Sequence, residues 1–129
     1  MIKKSKGWQT ADIHDIPPIK ESWGKSWHSI RHYFGISGFG VNAATKNKGE
    51  SLTPEHDETK SGQQELFIVT EGKAEFCVAG KSFVGMPGCL VFVEPHIRRS
   101  AKAVDSPTSL LMIGGAPGQA YKIGAWEKV

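Results

Sequence analysis

The sequence predicts an all-β domain, a sandwich or barrel, and three observations carry that expectation. Fifteen glycines and seven prolines are scattered among short apolar runs; glycine supplies turn backbone and proline interrupts ladders. Turn signals return about every eight to twelve residues, the spacing of a sandwich or barrel. No stretch sustains a competing helical period. The 129 residues fit one domain, long enough to bury a core without disulfide or metal staples.

Residues 1–28 read as an N-terminal arm that holds Trp8, Trp23 and Trp27, with Pro17-Pro18 fixing an extended segment. Large aromatics can each bury on the order of 150–250 Å². The arm is therefore expected to cover the outer face of a sheet, in its own subunit or across a homodimer. The barrel is expected over residues 29–115. Ser29 to Asn42, broken by Gly35, Gly38 and Gly40, reads as one or two bent strands, with Tyr33 and Phe34 on opposite sides. Lys46 to Glu50 is a polar turn, Ser51 to Glu58 a short strand, and Thr59 to Gln64 a loop. Leu66 to Thr70 is nearly all apolar, which implies cover on both faces. Ala74 to Val78 alternates, with Phe76 and Val78 opposite Glu75. Turns at Ala79-Gly80 and Pro87-Gly88 lead into Ser82 to Val84 and Cys89 to Val93. Ile97 to Val104 and Thr108 to Ile113 complete the strands, and residues 116–129, with Tyr121 and Trp126, read as a second packing arm.

Charge and composition narrow the function classes. The formal charge of +3 is small, and Lys3, Lys4 and Lys6 fall on a terminus, so no nucleic-acid partner is expected. There is no apolar run of about 18 residues and no apolar signal core behind the basic start. Cys77 and Cys89 lie inside strand-like runs and read as reduced core residues. These features predict a soluble cytoplasmic protein with no membrane partner.

The chemistry-bearing stretch runs from Gly49 to Gly72, where Glu55, His56, Asp57 and Glu58 precede a strand that begins at Glu65. Alternate strand residues share a face, so either Glu55 and Asp57 or His56 and Glu58 join Glu65 inside. Arg98 and Arg99, adjacent on a strand, must face opposite sides; the inward one could grip a carboxylate or phosphate. His96 sits on a turn and reads as exposed.

These segments resemble the cupin superfamily, small jelly-roll barrels described as a double-stranded β-helix. Its first motif, G-x5-H-x-H-x(3 or 4)-E-x6-G, is followed by Gly49, then Glu55-His56-Asp57, then Glu65 and Gly72. Its second, G-x5-P-x-G-x2-H-x3-N, maps onto Gly88, the strand Cys89 to Val93 and the Glu94-Pro95-His96 turn. More narrowly, FGVNA, EHDE, LVFV and RRS, the closing Gly114-Gly115 pair and Trp126 resemble a group of single-domain bacterial cupins, which implies a fold and no reaction.

The resemblance implies three imidazoles and one carboxylate around a divalent ion, and the chain departs from that set. The motif frame aligns Glu55 and Asp57 with histidines and puts Arg99 where the third would fall. Guanidinium has only donors and cannot ligate a cation. The proline commonly found just ahead of the family's first histidine favours placing His56, and with it Glu58, inward. His56, Glu58 and Glu65 would then form a one-histidine, two-carboxylate set suited to iron, manganese or zinc. Without a metal, Arg99 would neutralise the acids. Two function classes follow: a metal-free module holding a small polar or anionic metabolite with Glu65, His56 and Arg99, or a metal-dependent oxygenase or isomerase with Arg99 anchoring the substrate.

Overall fold

A computed structural model describes residues 3–19 and 26–127 of the chain. Twelve strands are present among them: β1 (Lys3–Ser5), β2 (Trp8–Thr10), β3 (Pro18–Ile19), β4 (Trp27–Ser29), β5 (Gly40–Lys46), β6 (Ser51–His56), β7 (Gln64–Glu71), β8 (Ala74–Val78), β9 (Lys81–Gly85), β10 (Leu90–Val93), β11 (Arg99–Ala103) and β12 (Thr108–Gly115). A six-stranded sheet in the order β10-β7-β12-β5-β4-β3 faces a four-stranded sheet in the order β6-β11-β8-β9, and β1 and β2 form a separate hairpin. The register pairs in both sheets are antiparallel.

Alternation along the strands builds the core between the sheets. Phe67 and Val69 of β7 turn inward beside Val91 and Val93 of β10 and Leu110 and Met112 of β12, and meet Phe76, Ala101 and Ala103 of the smaller sheet. The Phe67 and Phe76 rings meet across the gap at 6.2 Å between centroids. Side chains standing on alternate sides of a pleated strand need only a period of two to do this.

The described part of the N-terminal arm extends the larger sheet. β3 pairs with β4 and β4 with β5, so Trp27 enters the core and its indole N–H donates to the Leu52 carbonyl at 3.0 Å. Trp8 does not pack as expected: it stands in water, 56% exposed, on the separate hairpin. Trp23 lies outside the described residues.

The segment expected as bent strands contains α1 (Ile30–Phe34) instead. The Ser29 hydroxyl accepts from the His32 N–H at the start of that helix, and Gly35 ends it in the left-handed region at φ +72°. Serine caps the first turn and glycine tolerates that φ, so local end signals override the strand propensity of Ile30, Tyr33 and Phe34. Tyr33 and Phe34 therefore sit on one helical turn, ring edge to face at 5.3 Å.

Cys77 also departs from expectation. Phe76 points inward, so Cys77 points out, opposite Ser82 and Ser100, while Cys89 packs against the core; both thiols are free. No helix among the described residues is long and apolar enough to cross a membrane.

Candidate metal centre

Three elements converge at one open end of the barrel. β6 ends at His56, β7 begins near Glu65, and β11 begins at Arg99, which lies opposite His56 in the ladder. Glu58 follows β6 in a loop held by two backbone bonds, its N–H to the Pro95 carbonyl and its carbonyl to the Gly62 N–H, both 2.8 Å. Residues two apart share a face, so His56 and Glu58 point together toward Glu65. Ligand atoms from the three side chains lie within 4.8 Å of one another. The other parity goes outward: Glu55 accepts from Arg98 Nε at 2.9 Å on the surface, and Asp57 accepts from the Thr59 N–H. His96 is exposed.

Each of the three side chains is held by a further partner. The His56 Nδ1–H donates to the Pro54 carbonyl at 2.7 Å, which leaves Nε2 facing the carboxylates. Glu58 Oε1 accepts from the Ser61 hydroxyl at 2.7 Å, and its Oε2 faces His56 Nε2 at 3.0 Å. Glu65 Oε1 accepts from Arg99 Nη1 and lies 3.6 Å from His56 Nε2. This is the pattern in which outer partners orient metal ligands and set the histidine tautomer.

Arg99 is only 1% exposed. Its Nη2 donates to the Glu94 carbonyl at 2.7 Å and its Nε to the Ile97 carbonyl at 2.9 Å, while Nη1 holds Glu65. It does not line the cavity beside the three ligands. The direct ligand anchor expected of Arg99 is therefore replaced by a brace: fork-shaped donors spent on Glu65 and two backbone carbonyls.

The electrostatics follow from this crowding. Burial alone would lower the His56 pKa, but hydrogen bonds to Glu58, Glu65 and the Pro54 carbonyl, with the nearby Glu65 charge, push it up to about 10. Burial opposes the charged form of Glu58, yet the bonds from His56 and Ser61 outweigh it and hold its carboxyl below the usual range. Without a metal, His56 is an imidazolium bridging two carboxylates at neutral pH.

The cluster opens into a cavity of about 400 Å³ whose far wall is the C-terminal segment, from Ala116 through Trp126. Sequence reasoning missed what fixes that wall. Glu127, buried, accepts from the Ser29 hydroxyl (2.8 Å), Arg31 Nε (2.6 Å) and the Tyr121 hydroxyl (3.0 Å). Burial and the neighbouring Glu127 charge push the Tyr121 phenol up, so it stays a donor. Trp126 meets Trp27 edge to face at 5.2 Å. Nothing local to a glutamate three places from the end of the sequence marks it as buried.

Asn42, on the inner face of β5, was also missed. It lines the same cavity, and its side-chain Oδ1 is buried with no hydrogen-bond partner. In the string Val41-Asn42-Ala43-Ala44 the apolar residues give no clear alternation, so its face could not be read.

No family model matches the sequence, and no curated protein matches it. Solved structures do. A cupin protein from Bacteroides fragilis superposes with a TM-score of 0.63 at 18% identity, over 81% of this chain and 88% of its own. A Thermotoga maritima protein described as a predicted oxalate decarboxylase gives 0.67 at 14% identity, over 81% and 96%. A sugar phosphate isomerase from a cupin superfamily, from Silicibacter pomeroyi, gives 0.59 at 19% identity, over 73% of this chain and 60% of its own. Likeness at such identities establishes the fold.

Proposed function

We propose that this cupin-fold chain holds a divalent transition metal (iron, manganese or zinc) through His56, Glu58 and Glu65, and binds a small oxygen-rich anion beside it. The observation that carries this reading is the set of outer bonds. Pro54 and Ser61 engage the far atoms of His56 and Glu58, Arg99 fixes Glu65 through its Oε1, and the three side chains keep ligand atoms within 4.8 Å of one another. An imidazole with two carboxylates suits these metals. When bound, the ion would act as a Lewis acid on a ligand oxygen.

The chain's own residues define the ligand. Lys60 and Lys122 line the cavity with the cluster, and a divalent ion would balance Glu58 and Glu65, so the surplus charge is positive and favours an anion. Asn42 offers an unpartnered amide oxygen, an acceptor, to a ligand hydroxyl. Leaving such a group unsatisfied costs about 1–3 kcal/mol, which a hydroxylated ligand would recover. The ligands named for two of the neighbours, oxalate and sugar phosphates, are of this kind.

A metal-free reading has one observation in its favour: the His56 imidazolium and Glu58 already neutralise each other at 3.0 Å. The two readings separate in one calorimetric experiment with lactate and propionate, which differ by a hydroxyl. Manganese-loaded protein is expected to bind lactate about tenfold more tightly than propionate, a gap that closes in Asn42→Leu. Chelator-stripped protein is expected to lose lactate binding. Equal lactate affinity with and without metal would instead support the metal-free module.

A further inference from the structure

The C-terminal segment walls the cavity without belonging to either sheet. It leaves β12 at Gly114-Gly115 and returns to the barrel at Trp126 and Glu127. Its backbone bonds are short turns of its own, from the Gln119 N–H to the Ala116 carbonyl at 3.2 Å and from the Glu127 N–H to the Gly124 carbonyl at 3.1 Å. Among the described residues, no backbone hydrogen bond joins residues 117–125 to a strand. Segments without ladder bonds open at a lower free energy than the sheets they lie on.

The side chains that hold this segment converge on one carboxylate. Ser29 Oγ and Arg31 Nε, from the cap and first turn of α1, both reach Glu127 Oε2, and the Tyr121 hydroxyl closes on Oε1. Arg31 is steadied in turn by Nη1, which donates to the Ile36 carbonyl at 3.1 Å. The Tyr121 ring sits on Gly40 of β5 so closely that a Cβ there would lie 2.6 Å from it. Ser29, Arg31, Gly40 and Glu127 all lie outside the cavity lining. In a buried ion pair desolvation offsets much of the attraction, whereas removal of one partner strands the other. Opening hydrates Arg31 and Glu127 together, so it costs far less than the loss of either.

We propose that residues 116–127 form a gate over the cavity, swinging from Gly114-Gly115 and latched by Glu127 against Ser29 and Arg31. Closed, it supplies the wall that faces His56, Glu58 and Glu65; open, it gives metal and anion a route to them. Glycine absorbs the backbone change at the hinge. The latch stands on its own contacts, whereas its role in admitting a ligand rests on the metal reading above.

Hydrogen exchange of the full chain, read by mass spectrometry, tests the latch. In the wild type the amides of residues 118–125 are expected to exchange together, at least about 100-fold faster than those of β7 and β12. Glu127→Gln, which keeps the shape and removes the charge, is expected to speed that exchange at least about tenfold and leave β7 and β12 unchanged. Gly40→Ala should act the same way by crowding, because the Tyr121 ring can move while β5 is held in its ladder. Transfer of zinc from loaded protein to excess EDTA, followed by stopped flow, tests the gate. Both variants are expected to release zinc at least about tenfold faster than the wild type. Exchange that neither variant changes, or a rise shared by β7 and β12, would overturn the latch, and zinc released at the wild-type rate would overturn the gate. A wild type that binds no zinc would instead sink the metal reading, and hydrogen exchange would still decide the latch.

Discussion

Arg99→Ala is expected to lower the stability of the metal-free protein by about 3–5 kcal/mol, measured by urea unfolding. The substitution removes the largest fully buried side chain among the described residues and strips donors from Glu65 and from the Glu94 and Ile97 carbonyls. Breaking a buried pair leaves an uncompensated charge, and that cost exceeds what the intact pair contributes. The adjacent Arg98→Ala should be hard to distinguish from wild type, because its bond to Glu55 lies in solvent. Metal should offset part of the Arg99→Ala loss, since a divalent ion would supply the positive charge that Glu65 has lost. A loss that metal leaves unchanged would place Glu65 outside the metal's reach.

Metal uptake is expected to release close to one proton per ion at neutral pH, and affinity should rise about tenfold per pH unit from pH 6 to 9. The cause lies at one atom. His56 Nε2 carries the proton that bridges to Glu58, and a metal would need the same lone pair. The stability of the metal-free protein should run the opposite way. The folded His56 pKa is raised from 6.5 to about 10, so its contribution is full below 6.5 and is lost as pH rises through about 10. The lowered Glu58 pKa contributes above its unfolded value of 4.5 and is lost as pH falls through the folded value. Metal-free protein should therefore weaken at both extremes, whereas metal-loaded protein should keep its stability into the alkaline range. Titration of unbuffered protein with zinc chloride, following released protons, checks the stoichiometry.

The barrel was legible because its signals are local. Turn residues and short apolar runs set where strands β6 to β12 fall, and a period of two sets their faces. The β4 to β5 region was not legible in the same way: Ser29 and Gly35 bracket one helical turn inside residues that favour strands. At the site, the residues were visible but their geometry was open. Two parities of Glu55 to Glu58 fit the sequence, and only the fold shows His56 and Glu58 meeting Glu65 while Glu55 meets Arg98. Arg99 stood out as inward, but whether it grips a ligand or braces Glu65 depends on the carbonyls around it, which no side-chain pattern encodes. The Glu127 anchor joins residues nearly a hundred positions apart and leaves no motif.

The central claim is that His56, Glu58 and Glu65 hold one metal ion, and equilibrium dialysis with elemental analysis tests it most directly. Chelator-stripped protein should be dialysed at pH 8 against zinc, manganese and iron(II) under nitrogen, beside His56→Ala and Glu65→Gln. The wild type is expected to take up about one ion per chain of at least one metal, and each substitution to cut that affinity at least about 100-fold. Uptake well below one ion per chain of every metal, or uptake that survives both substitutions, would contradict the claim.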